Sequence, residues 1–176
     1  QTWARALATA GAIVGLVAVG CHADPDDAAG QARELEDGVR RENAIANLHR
    51  LYTTALERAS GDRTAAEPMA VADASIAGLV TCFTSHSDDV TNADSILDLL
   101  YEMRDARSLP ALTKALEWRA EISEEHAITA ARTLREITIP EAERGPAIEA
   151  LATALERVTR NRGVDNRMRI EFIRTL

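Results

Sequence analysis

The chain has 176 residues, enough for one ordinary domain, and carries a formal net charge of −8 at pH 7. An acidic body of this kind is repelled by phosphate backbones and anionic lipid, which argues against nucleic acid and against a purely electrostatic membrane contact. Only six residues are aromatic (two Trp, two Tyr, two Phe), so the core must be built from Ala, Leu, Ile and Val, a composition suited to closely packed helices.

The chain opens on an apolar run from Ala6 to Gly20, preceded by Arg5 and ended by Cys21. A basic lead, an apolar stretch and a small-residue ending are the parts of a secretory signal. As a helix the run would reach only ~22 Å, short of a hydrocarbon core of ~30 Å, so a transmembrane span is the less natural reading. Arg5 is the only charged residue in the first twenty, so its removal takes the body from −8 to −9. The next ten residues, Cys21 to Gly30, hold a proline, a glycine and three aspartates and are expected to form a solvated tether.

The ending Val19-Gly20-Cys21 resembles the bacterial lipobox, with Ala18 where that family prefers Leu. The resemblance implies cleavage before Cys21, a diacylglyceryl thioether on its thiol and acylation of its amine. Two or more chains anchor a soluble domain stably, where a single chain holds it only marginally. An ordinary cleaved signal with an incidental cysteine, or an uncleaved anchor, are the other readings. His22 after the cysteine is not the Asp associated with inner-membrane retention in some lipoproteins, which by resemblance favours the outer membrane or periplasmic face. With Cys21 lipidated, Cys82 is the remaining thiol, expected as a small buried hydrophobe or, alternatively, as half of an intermolecular disulfide.

From Arg41 onward the apolar spacing is helical almost throughout, with no sustained alternation. Ile96, Leu97, Leu100 and Met103 form one stripe, followed by a turn at Asp105-Ala106-Arg107-Ser108 and a second helix starting Leu109-Pro110. Ala130, Ala131, Leu134 and Ile137 occupy the same offsets 34 residues later, followed by Ile139-Pro140-Glu141 and a second helix through Pro146 to Leu155. Similar stripes lie upstream at Ala44, Ile45, Leu48 and Leu51, and downstream at Arg169, Ile170, Ile173 and Leu176. Ser108 is placed to cap the helix that Pro110 begins. The first hairpin differs by a long insertion, Ala59 to Pro68.

These hairpins, and above all the segment Met103 to Leu112, resemble the HEAT-repeat family. The resemblance implies an all-α fold of stacked antiparallel hairpins, an α-solenoid; an irregular antiparallel helical bundle would show similar stripes. The expected organisation is a signal over 1–20, a flexible acidic tether over 21–40 that can run into the first helix, and a repeat domain over 41–176. The last stripe begins a further repeat without its second helix, which suggests truncation at that end.

Motifs with chemistry are few. Ser85-His86-Ser87-Asp88-Asp89 holds the residue types of a hydrolytic triad, but neighbours in one loop rarely converge on a centre, and a polar connection capped by Ser87 or Asp88 is the simpler reading. Glu124-Glu125-His126 lacks a metal-ligand pattern, and acidic residues in a first helical turn are explained by the helix dipole. No GxGxxG or P-loop is present, and nothing points to a cofactor, a metal or a small-molecule substrate.

What remains is contact. In HEAT-like solenoids the second helices line a concave face, which implies partner contacts from Pro110–Ala120 and Pro146–Thr159. Lys114, Trp118 and Glu121 fall on one helical face, and tryptophan is enriched in binding hot spots; Trp118 could equally fill the gap between two hairpins. The expectation is a membrane-tethered, non-catalytic scaffold that binds another protein of the bacterial envelope. The alternative is the regulatory or docking portion of a larger exported enzyme.

Overall fold

The computed structural model describes residues 22–117, 124–161 and 166–176, and these are helical, with no strand among them. The helices are α1 (Ala28–Glu34), α2 (Arg41–Arg58), α3 (Ala66–Ser85), α4 (Val90–Met103), α5 (Leu109–Ala115), α6 (Glu124–Glu136), α7 (Glu141–Arg160) and α8 (Asn166–Thr175), with a 3-10 turn at Ala106–Ser108.

The packing follows chain order. One row runs α2, α4, α6, α8, each helix lying against the next, and a second runs α3, α5, α7. The rows are joined where α2 meets α3, α3 meets α4, α5 meets α6 and α7 meets α8. A single core fills the space between them, made mostly of Leu, Ile and Ala, with Tyr52, Phe83 and Phe172 as its largest members. Few large aromatics and many alanines let helix axes approach closely in this core.

Two expected stripes are buried in full: Ile96, Leu97, Leu100 and Met103 on α4, and Ala130, Ala131, Leu134 and Ile137 on and just after α6. On α2, Ala44, Ile45 and Leu48 are buried, but Leu51 is only half-buried and Tyr52 takes the inner place. On α8 the stripe is shifted. Met168 and Phe172 face inward, whereas Ile170, Ile173 and Leu176 are exposed. Charge and hydrogen bonding set this rotation: Glu171 is buried among Arg132, Arg135 and Arg174, and the Thr175 hydroxyl donates to the Ala131 carbonyl at 3.1 Å, so that edge is held against α6.

Several connections carry specific chemistry. Asp105, rather than Ser108, caps the turn before α5: its carboxylate accepts from the Arg107 backbone N–H at 2.9 Å, while the Ser108 hydroxyl turns back to donate to the Asp105 carbonyl. The expected insertion is a seven-residue connection, residues 59–65, plus the first turn of α3. It leaves α2 through Ser60 N–H to Glu57 carbonyl and Gly61 N–H to Leu56 carbonyl bonds, with Ser60 at φ 54°, the left-handed position of a Schellman ending. Arg63 in that connection donates to the Glu102 carbonyl at 2.7 Å, tying the loop to the end of α4.

Part of the stretch expected as a tether is a docked helix. The Asp27 carboxylate caps α1 at the Ala29 N–H, and the Gln31 side chain donates to the carbonyls of Ala23 and Asp24. Leu35 is buried behind it. This docking is favoured by Gly78: a Cβ there would stand 3.1 Å from the Ala32 carbonyl oxygen, so any side chain larger than alanine's would push α1 away from α3. Among the described residues α3 alone is long and apolar enough to cross a membrane, and it is packed against α1, α2, α4 and α5.

Candidate protein-binding groove

A groove follows the seam between α5 and α7. One part has a volume of about 590 Å³ and is floored by Leu109, Pro110, Thr113, Pro146 and Ala147; the other, of about 440 Å³, continues past Leu116, Ala150 and Thr153 to Arg157. Thr113 and Pro146 line both, which makes them one trough. Its origin is in the sequence. Between Glu143 and Arg157 the α7 face toward α5 carries Pro146, Ala147, Ala150 and Thr153 at helical spacing, and these four short side chains leave the trough unfilled. Three of the lining residues, Pro110, Pro140 and Pro146, have no backbone N–H to donate.

The charges on the trough are unequal in freedom. Arg107 is clamped, donating to both oxygens of Asp105 at 2.9 and 2.6 Å and pairing with Asp73 at 2.7 Å. Hydrogen bonding to Arg107 holds the Asp105 carboxyl below the usual carboxylate range, and the same bond raises the guanidinium further, keeping this cation engaged. Glu117 is paired with Lys114 at 2.6 Å. Glu143 and Glu149, on the α7 wall, are exposed, and their carboxylates have no hydrogen-bond or ion-pair partner among the described residues. The net character of the free charge on the rim is therefore negative.

The expected contact residues divide. Lys114 stands beside the trough and reaches it through Glu117. Trp118 and Glu121 lie outside the described residues, as does Cys21. The ranges expected to meet a partner, beginning at Pro110 and Pro146, do supply most of the lining. Arg107, Pro140 and Glu143 were not anticipated; the turn residues that begin α5 and α7 carry them there.

The other motifs do not assemble into sites. Ser85 is exposed at the end of α3, His86 and Asp88 are exposed on the α3–α4 connection, and neither Ser87 nor Asp88 caps α4. Asp89 precedes α4 and instead accepts from the Asn92 side chain at 2.6 Å and pairs with Arg41 at 3.5 Å. His126 is buried, with its Nε2 2.7 Å from an Asp94 oxygen and its ring edge-on to Phe83 at 6.3 Å. No group of three metal-ligating side chains occurs among the described residues. Cys82 is buried under α1, its thiol 3.6 Å from the Leu35 carbonyl, and burial pushes its pKa up, away from thiolate chemistry. Comparison with protein-family models, with curated proteins and with solved structures finds no match to this chain.

Proposed function

We propose that this chain is a lipid-anchored, non-catalytic scaffold of HEAT-like hairpins that holds another protein of the bacterial envelope along the α5–α7 groove. The observation that carries the reading is the trough itself, which follows the line where successive second helices adjoin and is walled by residues with no evident chemical task. The solenoid reading is supported by the order of packing: each helix lies against its neighbour or the next but one, and no substantial packing joins helices further apart among the described residues. A closed bundle brings its first and last helices together. The anchor is supported by the apolar run Ala6–Gly20 and the cysteine that follows it.

The test is site-specific photo-crosslinking in the exported full-length chain. A photoreactive residue at Thr113 or Thr153 in the trough should give one discrete protein adduct, and the same residue at Ser95, exposed on α4, should give none. Equal adducts from all three positions, or none from the trough, would refute the assignment.

A further inference from the structure

We infer that the domain is held against the bilayer without slack, so that the surface around residues 23–27 and the adjoining turn of α2 meets zwitterionic phospholipid headgroups. The inference rests on the lipid-anchor reading of Cys21 and adds where, and how closely, the body meets the membrane.

The first residue bonded to the body is two positions from the cysteine. The Ala23 N–H donates to the carboxylate of Glu34, the last residue of α1, at 2.8 Å, so from Ala23 onward the chain is folded back along that helix. Gly30 makes room for the return: a Cβ there would stand 2.6 Å from an Asp27 carboxylate oxygen and 2.9 Å from the Ala23 Cβ. Helix α2 grips the same segment, with the Arg50 guanidinium donating to the Pro25 carbonyl and to the Asp26 carboxylate, both at 2.8 Å.

Gln31 fixes the arrangement. It is 1% exposed, and its side-chain amide donates to the carbonyls of Ala23 and Asp24 at 3.3 and 3.0 Å while its oxygen accepts from the Asn47 side chain at 3.1 Å. Releasing residues 23 and 24 would strand a buried amide donor, so docking of the segment and burial of Gln31 stand or fall together.

The aspartates that suggest a solvated tether are engaged in this fold. Asp24 accepts from the Asp26 N–H at 2.9 Å, Asp26 pairs with Arg50, and Asp27 caps α1 and lies 3.7 Å from Arg33. Three aspartates set against two arginines leave the surface nearly neutral, which suits a zwitterionic bilayer and supplies no basic patch for anionic lipid. Contact is therefore imposed by the length of the link. Two residues reach at most ~7 Å, whereas a free leash over residues 21–40 would average ~25 Å. Helix α1 packs on α2 and α3, at the opposite end of the packing order from α8, so the α5–α7 groove begins one helix beyond the membrane contact.

The test uses the exported full-length chain, purified from membranes and reconstituted into phosphatidylcholine vesicles that contain a lipid with a nitroxide on its headgroup. In a chain with Cys82→Ala and Ala46→Cys, a thiol-linked dye sits at residue 46, which is exposed on α2 one turn before Arg50. The nitroxide should quench this dye strongly. A ten-residue Gly/Ser insertion between His22 and Ala23 should lower the quenching about threefold, because the link then averages ~19 Å instead of reaching at most ~7 Å. Mass spectrometry of the same preparations reads the lipid on Cys21. Weak quenching without the insertion, or equal quenching with and without it, in chains that carry the lipid would overturn the inference and leave the anchor standing. Cys21 without lipid would refute the anchor and this inference with it.

Discussion

Replacing Gly78 by leucine should detach α1 from the rest of the fold. In the parent chain a Cβ at this position would already lie 3.1 Å from the Ala32 carbonyl oxygen and 3.4 Å from both the Ala32 Cβ and the Leu35 Cδ1. An alanine can be absorbed by a shift of a few tenths of an ångström, and its better helix propensity, worth about 1 kcal/mol, offsets the crowding. A leucine has no such latitude, because its further carbons would occupy the space of α1. Undocking forfeits the burial of Leu35, about 1.5–3 kcal/mol, and the hydrogen bonds that Gln31 makes to Ala23 and Asp24, about 1 kcal/mol net apiece. The burial of Leu35 sets the scale of the expected loss, about 2 kcal/mol. Cys82 reports the event directly, since its thiol lies under Leu35. In a Cys21→Ala chain it is the one thiol, and the Gly78→Leu variant should react with a maleimide at least tenfold faster than its parent, with denaturant stability lowered by that amount. Leu35→Ala should open the same site. Parent-like thiol protection and stability in Gly78→Leu would refute the close-approach argument.

Other expectations follow from single positions. Ser60→Gly should stabilise the chain by about 0.5 kcal/mol, since relief of the left-handed strain at φ 54° slightly exceeds the added freedom of the unfolded chain; a lower denaturation midpoint would contradict this. Asp98 has its pKa raised by partial desolvation of its carboxyl and by the neighbouring Asp94 and Glu102, so its ionised form opposes folding above its folded pKa. Asp98→Asn should therefore stabilise at pH 7, with a benefit that shrinks as the pH falls through that value toward the unfolded one, as read from urea midpoints across pH. Asp105 behaves oppositely. Hydrogen bonding to Arg107 lowers its pKa, so Asp105→Ala should destabilise by about 1 kcal/mol at neutral pH, where the cap and the clamp are both present, and by less once the parent carboxyl is protonated; equal loss at pH 7 and pH 2 would count against the clamp.

Legibility of the fold tracked how local the deciding forces are. The α4 and α6 stripes could be read because four apolar residues at helical spacing leave one face to bury. The α8 stripe could not, because Ile170, Ile173 and Leu176 are the aliphatic choice and yet two arginines of α6 and the Ala131 carbonyl turn Glu171 and Thr175 inward. Helix α1 was hidden for a related reason: seven residues rich in Ala and Gly have little apolar face of their own, and their burial depends on a glycine more than forty positions away. Pro110 marks the start of a second helix as expected, but Pro146 does not: α7 begins at Glu141 and carries Pro146 in its interior, so only one wall of the groove could be placed from the sequence. Its charge was not legible, since the engagement of Arg107 by Asp73 joins α3 to the turn before α5 and leaves no trace in spacing.

The proposal joins a groove to an anchor, and the anchor is the part on which the location of everything else depends. Intact mass spectrometry of the exported chain, recovered from membranes, tests it in one step. The account predicts a mature N-terminus at Cys21 carrying the mass of a diacylglyceryl group and an amine-linked acyl chain, with Cys21→Ala lost from the membrane fraction. A chain that remains at the membrane with Cys21 unmodified, or with the run Ala6–Gly20 still attached, would contradict it.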